Sequence, residues 1–94
     1  MTDSFLSREI IFRFENDMQR GEISISQPAP KKNGRYECFV SFEPLRKYDA
    51  VIGGIDQIHS IECAIAYIEA VCKNSKEPEF FWINGDAMFR EREE

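Results

Sequence analysis

Between Arg35 and Glu43 apolar and polar side chains take turns: Tyr36, Cys38, Val40 and Phe42 stand against Arg35, Glu37, Phe39, Ser41 and Glu43. A period of two sends successive side chains to opposite faces of an extended chain, so this stretch reads as a β-strand with one buried face, closed by Pro44. The same period recurs upstream. Across Ser7–Glu15, Ile10, Phe12 and Phe14 fall on the inward side. After the polar break Asn16-Asp17-Met18-Gln19, Gly21, Ile23 and Ile25 alternate with Glu22, Ser24 and Ser26. Strands are expected over about 7–15, 20–27 and 35–43. The segment Pro28-Ala29-Pro30-Lys31-Lys32-Asn33-Gly34 suits no central strand and is expected to form an exposed, projecting loop.

Further along, the period changes. Tyr48–Ile55 is apolar and β-branched enough for a fourth strand, about 48–54, and Gly53-Gly54 would let the backbone bend out of the sheet. Asp56 is placed to cap a helix. Behind it Ile58, Ile61, Ile65, Ile68 and Cys72 recur at steps of three and four, which predicts an amphipathic helix over about 57–73 with Glu62, Glu69 and Lys73 on the wet side. Pro78 prevents its continuation. Phe80-Phe81-Trp82-Ile83 opens a last strand, about 80–84, Ala87-Met88-Phe89 begins either a return strand or a short helix, and the charged tail 90–94 is expected to fray.

At 94 residues the chain has room for one domain, 1–94, with one modest core. The element order predicts an α+β fold, an antiparallel four- to five-stranded meander sheet with one long helix packed on one face. Each large side chain among Ile10, Phe12, Phe14, Ile23, Ile25, Tyr36, Val40 and Phe42 that buries against the helix isoleucines would contribute about 1.5–3 kcal/mol. Ile11 and Phe39 are left on the outer sheet face, where a homodimer contact could cover them.

Catalytic chemistry has little to build on. His59 is the only histidine; on a helix it would face Glu62 and Cys63, a geometry open to a Cys–His pair but more ordinary as a capping residue. Cys38, Cys63 and Cys72 form no C-x-x-C pair, and nine residues of helix would put Cys63 and Cys72 on opposite faces, so reduced thiols acting as small hydrophobes are expected. Gly53-Gly54-Ile55-Asp56 lacks the glycine pattern and the lysine of a phosphate-binding loop. Glu77 and Glu79 flank Pro78 at the helix exit, where both are expected to be solvated rather than paired on a concave wall for acid–base work. No enzyme activity, metal or cofactor is expected. Met1-Thr2-Asp3-Ser4 has no basic, apolar leader character and no stretch is apolar enough to span a membrane, so a cytoplasmic location is expected.

Charge is unevenly spread. Residues 1–55 hold eight Lys/Arg and eight Asp/Glu, whereas 56–94 hold four and nine, so the net charge of −5 belongs to the second part. Such a surface repels nucleic-acid phosphate and steers basic proteins toward it. The opposing possibility is a small RNA- or ligand-binding module in which Lys31, Lys32 and Arg35 contact phosphate while Tyr36 stacks on a base.

A meander of alternating strands, then Gly54-Ile55-Asp56 leading into a helix with Ile61, Ala64, Ile65 and Ile68, then an aromatic segment around Trp82, is similar to small bacterial immunity proteins of toxin–immunity systems, including contact-dependent inhibition. The resemblance covers about residues 7–85 in outline. It implies a non-catalytic cytosolic protein that binds a cognate toxin domain and blocks its active site. Combined with the charge layout, it points to Glu62, Glu69, Glu77, Glu79 and Asp86 pairing with Lys and Arg of a basic, nuclease-type partner, with Phe81 or Trp82 anchoring the contact.

Overall fold

Each alternating segment pairs with its neighbour in the chain. In the computed structural model, which describes residues 4–86 and Met88, β1 (Ser4–Phe14) and β2 (Asp17–Ser26) form a hairpin in which Phe14 lies opposite Asp17. The turn is therefore only Glu15-Asn16, shorter than the expected polar break, and Glu15 takes a positive φ of 59°. β2 pairs with β4 (Tyr36–Glu43), which pairs on its other side with β5 (Ala50–Gly54). A two-residue strand, β3 (Ala29–Pro30), sits opposite Glu37 and Tyr36. Because those residues also pair with β5, β3 runs along the same side of β4 as β2 and prolongs it. The expected loop thus shrinks to a turn at 31–34, held by a Lys31 N–H to Arg35 carbonyl bond of 2.7 Å.

After β5 the chain forms α1 (Gln57–Asn74), crosses the sheet and returns as β6 (Glu79–Trp82) on the far side of β1. All pairings are antiparallel, and the six strands lie five abreast in the order β6, β1, β2 with β3, β4, β5. The α+β class and the meander hold, with one more short strand than expected. Asp56 caps α1 as its sequence position indicates, accepting the His59 N–H at 2.8 Å. At the other end the Ser75 hydroxyl donates to the Pro78 carbonyl, and the Tyr48 hydroxyl lies 3.2 Å from the Ser75 oxygen. Met88 N–H donates to the Phe80 carbonyl, so backbone returns along β6. Ala87, Phe89 and the tail 90–94, on which the return-strand and fraying expectations fall, lie outside the described residues. Among the described residues no helix is long and apolar enough to cross a membrane.

The core is made by Ile10, Phe12, Ile23, Ile25, Cys38, Val40, Phe42 and Phe80 of the sheet with Ala64, Ile68 and Cys72 of α1, and Met88 closes its end. Two expectations fail here. Phe14 is 40% exposed, because the tight hairpin carries it past the edge of the layer that the helix covers. Ile58 and Ile65 are 72% and 44% exposed, because α1 lies over β4 and β5 and buries the row Ser60, Ala64, Ile68 and Cys72 instead.

That seating follows from Gly54. A Cβ built there would lie 2.3 Å from the Ser60 nitrogen and 2.6 Å from its Cα, so α1 can rest its first turn on the strand only where a side chain is missing. Neither Gly53 nor Gly54 has a positive φ, so backbone contact, rather than an unusual bend, is what requires Gly54. Gly54→Ala should lower stability by about 3 kcal/mol in urea unfolding, whereas Gly53→Ala, with its nearest neighbouring atom 3.8 Å away, should change it by less than about 1 kcal/mol. Equal effects at the two positions would contradict this reading.

Candidate functional site

A helix resting on a sheet ordinarily turns a charged face to water, and α1 does so only in part. Its outer row interleaves Ile58, Ile65, Ala66 and Ala70 with Glu62, Glu69 and Lys73. Beside this row helix and sheet part, leaving two successive depressions. One, of about 250 Å3, is walled by Phe5, Pro28, Ile58, Ile61 and Glu62. The other, of about 200 Å3, runs between Leu6, Arg8, Ile23 and Ile25 on the sheet and Ile65 on the helix. Phe5 and Leu6 are both more than 40% exposed. Together they form an apolar groove along α1 with a carboxylate in its wall, a shape suited to an amphipathic segment of another protein.

The residues singled out from the sequence do not form one patch. Glu62 and Glu69 lie exposed on the outer face of α1, and among the described residues neither has a hydrogen-bond or ion-pair partner. The others are taken up by the fold. Glu79 forms an ion pair with Arg13 across the β1–β6 register. The Glu77 carboxylate accepts the Glu15 N–H at 3.0 Å and so secures the hairpin turn. Asp86 closes the turn after β6, its N–H donating to Asn84 and its carbonyl accepting from Trp82. Phe81 and Trp82 point to opposite faces: Phe81 lies opposite Ile11 with the Arg13 guanidinium 5.5 Å from its ring, while Trp82 packs against the core beneath the Arg8 guanidinium at 4.6 Å.

Sequence reasoning missed a second acidic surface. The registers set Glu9 opposite Glu22 and Glu22 opposite Glu43, a row of three carboxylates across the sheet face away from α1. These residues border a shallow depression of about 400 Å3 with Arg20, Gly21 and Pro44. Like charges directly opposite one another oppose pairing. Arg46 relieves one end by reaching Glu43 at 3.1 Å while also binding Ser41 and Asp49. Part of the molecule's negative field thus comes from the half of the chain whose charges balance, and only the strand register reveals it. Ile11 and Phe39 lie on this face, Phe39 beside Val51.

His59 proves to be both a cap and half of a pair. Its Nδ1 accepts the Ile55 N–H at 2.9 Å, which leaves the proton of a neutral ring on Nε2, 3.4 Å from Cys63 Sγ. No group of three His, Cys, Asp or Glu among the described residues is arranged to hold a metal ion. The other two thiols are buried. Desolvation raises Cys38 above its ordinary pKa, partly offset by the Ser60 side chain, and burial pushes Cys72 up to about 12 against a lowering by Arg8.

Comparison with protein-family models, with curated proteins and with solved structures finds no match to this chain.

Two outcomes follow for the thiols. Cys63, the one that is not fully buried, should react with a disulfide reagent about tenfold or more faster than Cys38 and Cys72, and Cys63→Ser should remove that fast phase. Three equal rates in the folded protein would refute this. For Cys72 the folded protein holds the neutral thiol. Below pH 9.0, its ordinary value, folded and unfolded chains bind the same proton, and between there and about 12 only the unfolded chain releases it. Stability therefore falls as pH rises through this window, by roughly 1 kcal/mol from pH 8 to 10 through this group, and Cys72→Ala should flatten the slope measured by urea unfolding. An unchanged slope would contradict the assignment.

Proposed function

We propose that the protein is a non-catalytic binding protein that neutralises a basic protein partner, in the manner of the immunity proteins that its sequence resembles. The carrying observation is the outer face of α1, where the exposed Ile58 and Ile65 alternate with Glu62 and Glu69 at the lip of an apolar groove. Apolar anchors supply affinity when desolvated, and flanking carboxylates speed encounter with Lys and Arg and choose the partner. A basic nuclease domain is the partner class that this charge pattern favours. The binding set is narrower than the sequence indicates: Glu62 and Glu69 are available, whereas Glu77, Glu79 and Asp86 have roles within the fold.

The RNA-binding alternative has less support. Lys31, the first of its basic residues, is 3.7 Å from Glu37, and the sheet face it would use carries the Glu9, Glu22 and Glu43 row, which repels phosphate.

The test begins with affinity capture from the native cell, followed by kinetics on the purified partner. A basic protein should be retained, and its own activity should be blocked at a ratio of one to one. Glu62→Lys with Glu69→Lys should slow association about tenfold at low salt, and Ile65→Asp should speed dissociation. Kinetics unaffected by all three substitutions would overturn the assignment, as would salt-sensitive binding of labelled RNA with no protein retained.

A further inference from the structure

The two margins of the sheet are finished differently. On the outside of β6 the chain closes its own edge: Trp82 N–H donates to the Asp86 carbonyl at 2.7 Å and Met88 N–H to the Phe80 carbonyl at 3.2 Å. On the outside of β5 there is no such cover among the described residues, and β4 is its only strand partner. Edge strands that are meant to stay open usually carry a charge, a proline or a bulge that discourages a new strand. β5 reads Ala-Val-Ile-Gly-Gly and has none of these. Val51 and the Ile55 that follows the strand are 62% and 65% exposed, among the barest large apolar residues of the molecule.

We propose that β5 is a homodimer interface, at which a second copy of the chain adds its own β5 antiparallel to the first and joins two sheets into one. The sequence of the strand matches itself in this arrangement. A two-fold axis at Ile52 sets Val51 of one copy opposite Gly53 of the other and Ala50 opposite Gly54, so these side chains each meet a glycine while Ile52 meets its own copy at the axis. Gly53 has space to receive it, with no neighbouring atom closer than 3.8 Å to the Cβ position. Val51 lies on the sheet face away from α1 beside Phe39, so the two copies would join these residues into one apolar strip across the axis. The charges agree as well. Antiparallel pairing brings Lys47, which precedes β5, to the end where Asp56 follows β5 in the other copy; Lys47 has no ion pair within its own chain among the described residues. A foreign strand would need that pattern supplied by chance, whereas a second copy supplies it by symmetry. The groove along α1 lies on another surface, so this dimer stands independently of any basic partner.

Sedimentation velocity over a wide concentration range tests it. The mean mass should climb from one chain toward two as concentration rises, since an interface this small gives a weak dimer. Val51→Lys should hold the protein at one chain throughout, with unchanged circular dichroism and melting midpoint because the side chain is exposed. Ile65→Asp, in the groove, should leave dimerisation as it is in the parent. Hydrogen exchange supplies a measurement that needs no variant: amides of 50–54 should gain protection as the parent protein is concentrated. A mass of one chain at every concentration overturns the proposal, as does a dimer that survives Val51→Lys, or one lost in Ile65→Asp alone.

Discussion

The missing side chain at Gly54 sets the position of everything else. The backbone of α1 at Ser60 comes down on the end of β5 at a distance that no Cβ could share, and Ser60, wholly buried, returns its hydroxyl to the Gln57 carbonyl. The same few residues secure the joint in other ways. Asp56 caps the first turn, the His59 ring takes the Ile55 N–H, and Cys38 reaches the Ser60 carbonyl from β4. With the first turn fixed at the margin of the sheet, α1 lies over β4 and β5 and touches β6 only slightly.

Off-centre seating has two consequences for what the molecule can bind. Because α1 does not cover the start of β1, the space between Leu6, Phe5 and the helix remains a groove, and Ile58 and Ile65 turn outward beside Glu62 and Glu69. Because α1 reaches β5 from the face, the outer margin of that strand is left bare. An apolar groove beneath a helix face that carries Glu62 and Glu69 suits an amphipathic basic partner, and a bare, uncharged strand edge suits another strand. One packing decision at Gly54 therefore gives rise to both surfaces.

What the sequence disclosed, and what it withheld, divides along the range of the interactions involved. The strand periods around Ile10, Ile23 and Val40, the Asp56 cap, the stop at Pro44 and the span of α1 all depend on neighbours a few residues away, and they stand where the pattern puts them. Phe14 departs from the strand pattern because the site of a two-residue turn decides which end residues remain under the layer. Ile58 and Ile65 fit the apolar stripe as well as Ile61 and Ile68 do, and only the seating of the helix separates them. The Glu9, Glu22 and Glu43 row is a product of register between three strands. For the candidate site, the sequence identified Glu62 and Glu69 as outward-facing acids but grouped them with Glu77 and Glu79, whose partners Glu15 and Arg13 lie more than sixty residues away along the chain.

Native-state hydrogen exchange measures the central joint directly, in dilute protein where each chain is alone. If the Gly54–Ser60 contact holds helix to sheet, amides of α1 and of β5 open together, with free energies within about 1 kcal/mol of each other, as one cooperative unit. Amides of α1 that exchange several kcal/mol more easily than those of β5 would mean that the helix lifts away on its own, and would contradict the account.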